Sequence, residues 1–199
     1  MCITIAFEKV ASSVMKRFVK GVAGPYVHTE IIVSTEADGC KSYSAYMGRK
    51  FSCQPLDSSR INDDTYDFLM LPVTPEEEAC IRITLEACVK SRIPYNTVDM
   101  ILSQAPFRQP VDRSLFESAP SGLYCAQAAV AMLRECLMPP SSILVSLSAL
   151  NSRTVTPSEL FNALRPHSQL VYAVVASLPK CDVRSVKAAL QTLWVNGEN

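Results

Sequence analysis

The chain has only two histidines, no C-x-x-C pair, no net charge and no long apolar run. Each absence removes a class of function. Two histidines without paired cysteines leave no ordinary set of zinc ligands. Nineteen Lys+Arg against nineteen Asp+Glu give a formal net charge of 0, so overall charge offers nothing to attract nucleic acid or an anionic membrane. No stretch approaches the roughly 20 apolar residues of a membrane span. Glu8 and Lys9 interrupt the apolar opening, Met1-Cys2-Ile3-Thr4-Ile5, too early for a signal peptide. There is no internal repeat and no linker long enough to split the chain.

What is present is core material. Of 199 residues, 48% are hydrophobic and 19% charged, enough for one substantial domain. We expect that domain over residues 1–181, with a helical appendage over 182–199. Eight cysteines, at positions 2, 40, 53, 80, 88, 125, 136 and 181, invite a disulfide reading. The chain is larger than domains that use disulfides in place of a core, so the expectation is reduced thiols in a cytoplasmic protein. No metal or other cofactor is expected.

Strand signals come first. Cys2 to Phe7, Tyr26 to Ser34, Lys41 to Met47, Phe51 to Leu56 and Tyr66 to Val73 read as strands, with Asp38-Gly39 as a hairpin turn. A helix is predicted over 9–20, closed by Gly21 and Gly24. Helical signals then take over. Thr74-Pro75-Glu76-Glu77 is a capping box opening a helix to about Ser91 that buries Cys80, Ile81, Leu85 and Cys88. A shorter helix is expected over Asn96–Gln104, a proline-rich loop over 105–121 and an Ala-rich buried helix over Leu123–Leu137. A second capping box, Thr156-Pro157-Ser158-Glu159, starts a helix to Leu164, and Gln169 to Ser177 reads as a late strand. Strands first and helices second point to α+β.

Chemistry has few places to go. His167, between a helix and a strand, reads as an exposed loop residue. His28 opens a hydrophobic strand with Glu30 two residues on, and period-2 geometry puts both on one face. A carboxylate there can orient an imidazole and favour its charged form. A strand-edge histidine beside a solvent-facing glutamate accounts for the same residues. Cys125 sits in the first turn of the Ala-rich helix, entered through Gly122. A helix N-terminus favours a thiolate, and its unbonded N–H groups can meet an oxyanion. An ordinary buried core cysteine is the competing reading, as for Cys136 late in the same helix. A thiol needs a base within reach, and a strand histidine with a helix-N-terminal cysteine supplies both.

Four stretches carry a resemblance to a known family: Tyr26-Val27-His28-Thr29-Glu30-Ile31-Ile32, Ser42-Tyr43-Ser44-Ala45, Leu123-Tyr124-Cys125-Ala126-Gln127 and Thr156-Pro157-Ser158-Glu159-Leu160. In order and spacing they resemble the permuted branch of the NlpC-type papain-like superfamily, which includes lecithin:retinol acyltransferase relatives, YiiX-like proteins and viral members. The resemblance implies a circularly permuted papain-like fold, an antiparallel sheet packed on the helix that bears the nucleophile. It implies Cys125 as nucleophile, His28 as base and Glu30 as orienting group. Ser44 on the next strand is an alternative third group. The oxyanion would meet the Cys125 backbone N–H, with help from Tyr124. The implied activity is that of a cysteine hydrolase, peptidase or amidase in type, acting on a peptide, amide or acyl substrate through an acyl-enzyme. Membrane-binding segments typical of the acyltransferase relatives are not evident, which disfavours lipid acyl transfer. A deubiquitinase-like permuted protease also places His before Cys, but its Asn-Cys-Asn surroundings are missing. The rival from another class is a catalytically silent interaction or virion protein on the same fold, which would act in a virion or host cytoplasm if viral.

Overall fold

The computed structural model describes residues 1–35, 39–56, 64–97, 100, 122–151 and 154–170. Its frame is a six-stranded antiparallel sheet: β1 (Cys2–Glu8), β2 (His28–Thr35), β3 (Gly39–Ala45), β4 (Phe51–Pro55), β5 (Tyr66–Pro72) and the short β6 (Gln169–Leu170). The strand order is β4-β3-β2-β1-β5-β6. The first strand is therefore central, flanked by β2 and β5, and the class is α+β.

Alternation along the strands gives the sheet two apolar faces. One carries Ile3, Ile5 and Phe7 of β1, Ile31 and Val33 of β2, and Leu69 and Leu71 of β5, and it joins the main core. The other carries Ala6, Ile32, Cys40, Tyr66 and Phe68 in a second cluster. Five α-helices lie among the described residues: α1 (Val14–Ala23), α2 (Pro75–Lys90), α3 (Cys125–Cys136), α4 (Ser142–Ser148) and α5 (Pro157–Leu164). No helix among the described residues is long and apolar enough to cross a membrane.

α3 packs against β2, β3, α2, α4 and α5. Nearly every residue of its first two turns is buried, as small side chains pack it closely against the sheet. Arg134, in its last turn, donates to the Leu147 and Leu150 carbonyls at the end of α4. The expected capping box of α2 is present: Glu77 N–H donates to Thr74 Oγ1 at 3.2 Å, and Thr74 N–H to Glu77 Oε2 at 2.8 Å. Glu77 does more than cap, since its Oε1 accepts from Met138 N–H at 2.8 Å and ties α2 to the segment after α3. The second box, Thr156 with Glu159, starts α5 in the same way.

Three expectations need adjustment. The first helix begins at Val14, not near residue 9, because the Ser13 side chain caps it while Lys9 N–H still bonds Thr65 across the sheet. It runs through Gly21 and stops at Gly24, whose φ is 100°. Cys80 is half-buried rather than buried. The seven cysteines among the described residues are free thiols. The expected 105–121 loop and the 182–199 appendage lie outside the described residues, as does most of the expected 96–104 helix and all but the start of the late strand.

The entry to α3 is fixed by Gly122. Its φ of 89° is a left-handed conformation, and a Cβ there would lie 2.2 Å from the Pro94 carbonyl oxygen. That close approach lets Leu123 N–H donate to Pro94 O at 3.0 Å and Asn96 N–H to Leu123 O at 3.3 Å. Gly122→Ala should therefore destabilise the protein by about 2 kcal/mol or more, from backbone strain plus the clash. Urea unfolding measures it; an unchanged midpoint would mean the segment can shift freely.

Candidate active site

Cys125 is the first residue of α3, following Tyr124 in extended conformation. Gln127 reaches back to accept from Tyr124 N–H at 3.3 Å, which holds the first turn in place. The sulfur is only 5% exposed as part of its residue, and the backbone N–H groups of Thr29, Ala126 and Cys125 itself point at it. Two of these are amides that α3 leaves without helical acceptors. Burial pushes the thiol up to about 11, against the pull of those three amides, and the Glu8 carboxylate pushes in the same direction as burial. At neutral pH the resting group is a thiol.

His28 opens β2, next in the chain to the Thr29 amide that touches the sulfur. Val27 N–H donates to Glu8 O at 2.9 Å, while His28 is the register partner of Glu8. Two residues thus oppose one, the arrangement of a β-bulge, which re-aims side chains where it occurs. Consecutive residues Val27 and His28 accordingly both line one cavity, as does Cys125.

The tautomer of His28 follows from Ser44. The Ser44 hydroxyl donates its single hydrogen to Thr29 O at 2.7 Å, so toward His28 Nε2, at 3.2 Å, it can only accept. Neutral His28 then carries its hydrogen on Nε2 and its lone pair on Nδ1. The Tyr46 ring lies against the imidazole, centroids 4.9 Å apart and planes 35° apart.

Glu30 lies two residues along on the same face, with Oε1 3.9 Å from His28 Nε2. It is fully buried at 0% exposure, and two hydroxyls serve it: Tyr66 donates to Oε1 at 2.8 Å and Ser42 donates to Oε2. The solvent-facing carboxylate that the sequence also allowed is thus not what the fold builds. Glu30→Ala strands both hydroxyls in a buried site and should cost about 2–4 kcal/mol in unfolding measurements. A loss below about 0.5 kcal/mol would show that the network carries no weight.

Of the other expected groups, Tyr124 is buried on the cavity wall but donates its hydroxyl to Val155 O at 2.8 Å, so that hydrogen faces a carbonyl rather than the cavity. His167 is half-exposed, held by Ser142 and Ser146 of α4 at 3.1 and 2.7 Å. Cys136 sits at the far end of α3 beside Thr84, its Sγ 3.4 Å from Oγ1, and burial pushes it up to about 12.

The cavity, about 390 Å³, is walled by Val10, Val19, Tyr46, Met47, Tyr95 and Met100 around Cys125, His28 and Glu30. Sequence reading missed its second charged feature: Glu8 and Lys16, also on the wall, form an ion pair at 2.6 Å. Among the described residues no cluster of three His, Cys, Asp or Glu side chains could hold a metal ion. Comparison with protein-family models, curated proteins and solved structures gives no match.

Proposed function

We propose that the protein is a cysteine-dependent hydrolase of peptidase or amidase type on a circularly permuted papain-like fold, with Cys125 as nucleophile and His28 as base. The observation that carries the reading is that the thiol at the mouth of α3 and the imidazole of β2 open on the same cavity, with the thiol against the amide next to His28. His28 Nδ1 takes the thiol proton as sulfur bonds to the substrate carbonyl carbon. The oxygen that gains charge is met by backbone N–H groups at the start of α3. The proton returns to the leaving amine or thiol as its bond to carbon breaks. Water, deprotonated by the same nitrogen, then cleaves the acyl-enzyme.

Ser44 fixes the tautomer for this sequence of transfers, and Glu30 favours the imidazolium at its midpoint. The apolar wall suits an uncharged acyl portion. Turnover of a panel of small thioesters, esters and amides near neutral pH tests the reading, provided alkylation confined to Cys125 stops it. Folded protein that turns over none of them speaks for the second reading, a silent binding protein. One observation favours that alternative: a buried thiol pushed up to about 11 is inert unless its proton is removed for it.

A further inference from the structure

Lys16 of α1 and Glu8 at the end of β1 form an ion pair on the cavity wall. Glu8 ends β1 directly opposite His28 on one side and Tyr66 on the other. It is buried, and the Lys16 ammonium reaches down from α1 to donate to both carboxylate oxygens, at 2.6 and 2.7 Å. The titratable groups that line the cavity with Glu8 are Lys16 from α1, His28 and Glu30 from β2, Tyr66 from β5, Cys125 from α3, and Tyr46, Tyr95 and Tyr124. Asp67 of β5 is engaged elsewhere, with Lys9 at 2.8 Å and Tyr26 at 2.6 Å.

An unpaired carboxylate in this position would favour an imidazolium at His28 but oppose a thiolate at Cys125. Proton transfer from sulfur to nitrogen creates both at once. An ammonium holding both oxygens weakens the carboxylate's effect on both groups, and the part that remains still pushes the Cys125 thiol up. We propose that Lys16 is a positioning residue, which holds Glu8 in an ion pair and so sets the charge balance under which Cys125 and His28 exchange a proton. The inference rests on the reading of those two residues as nucleophile and base.

Alkylation of Cys125 by iodoacetamide near pH 8, followed by peptide mass spectrometry, tests it without any substrate. Lys16→Met takes the ammonium away from the Glu8 anion and should slow alkylation about tenfold, the effect of one unit in thiol acidity. Glu8→Gln should speed it by a similar factor. The double variant and Lys16→Arg should both stay within about twofold of wild type. Cys136, at the protected end of α3, reports the fold in the same digest and should stay unmodified throughout.

Two single variants that shift Cys125 in the same direction, or shift it less than twofold, would overturn the inference. So would gains in Cys125 alkylation matched by Cys136, since a loosened structure exposes both. Failure of the hydrolase reading looks different: no reporter turnover in wild type, whatever the order of alkylation rates.

Discussion

Cys125→Ala lowers turnover of any reporter substrate to background, a loss of at least about 10³-fold, while Cys136→Ala stays within about twofold of wild type. The two cysteines bracket α3, eleven residues and therefore about 16 Å apart along its axis. Only the first has unbonded amides at its sulfur and opens on the cavity. Cys136 faces Thr84 of α2 and gains nothing from the helix terminus. Removing one buried sulfur leaves a small void, so Cys125→Ala should remain folded, and a thermal melt run in parallel checks this. Residual turnover in Cys125→Ala above about a tenth of wild type would assign the chemistry to another group.

The second large effect belongs to His28. His28→Gln should reduce the acylation rate by about 10³-fold near pH 8. The reason lies in the thiol. With burial holding it near 11, only about one molecule in a thousand carries a thiolate at pH 8 unless a base takes the proton. The sign of the pH dependence follows. In His28→Gln the thiolate must come from solvent equilibrium, so the rate should climb about tenfold per pH unit and approach its limit near 11. In wild type the proton passes within the site, and the rate should level off once the imidazole is neutral. Parallel profiles for the two proteins would remove His28 from the mechanism.

Much of the fold could be read from local pattern. Short apolar and β-branched runs bounded by turn signals marked the first five strands, and two capping boxes that begin Thr-Pro marked helix starts because capping is a local interaction. The pairing order β4-β3-β2-β1-β5-β6 was not legible, since it depends on which apolar edges meet at long range. The start of α1 was misplaced for a related reason: lysines and valines at helical spacing begin at residue 9, but a long-range backbone bond to Thr65 keeps Lys9 in the sheet.

The site divides in the same way. Cys125 was readable from Gly122 and the small residues after it, and His28 with Glu30 from strand period alone. Those signals suggested candidates, and they could not say that Tyr66 and Ser42 would enclose Glu30, because these donors come from other strands. Nor did anything local announce the bulge at Val27-His28 or the tilted contact of the Tyr46 ring with the imidazole. Glu8 had registered only as the residue that ends an apolar opening, and Lys16 as one lysine on an amphipathic helix. Their meeting is purely tertiary, eight residues apart in sequence with a helix start between them.

The central claim is that Cys125 carries the acyl group, and a slowly hydrolysed aryl ester reads it directly. After brief exposure near neutral pH, intact-protein and peptide mass spectra should show one acyl adduct, on the Cys125 peptide, that decays as water completes the cycle. An adduct spread over half-exposed thiols and surface lysines, or none on Cys125 while the protein stays folded, would contradict the account.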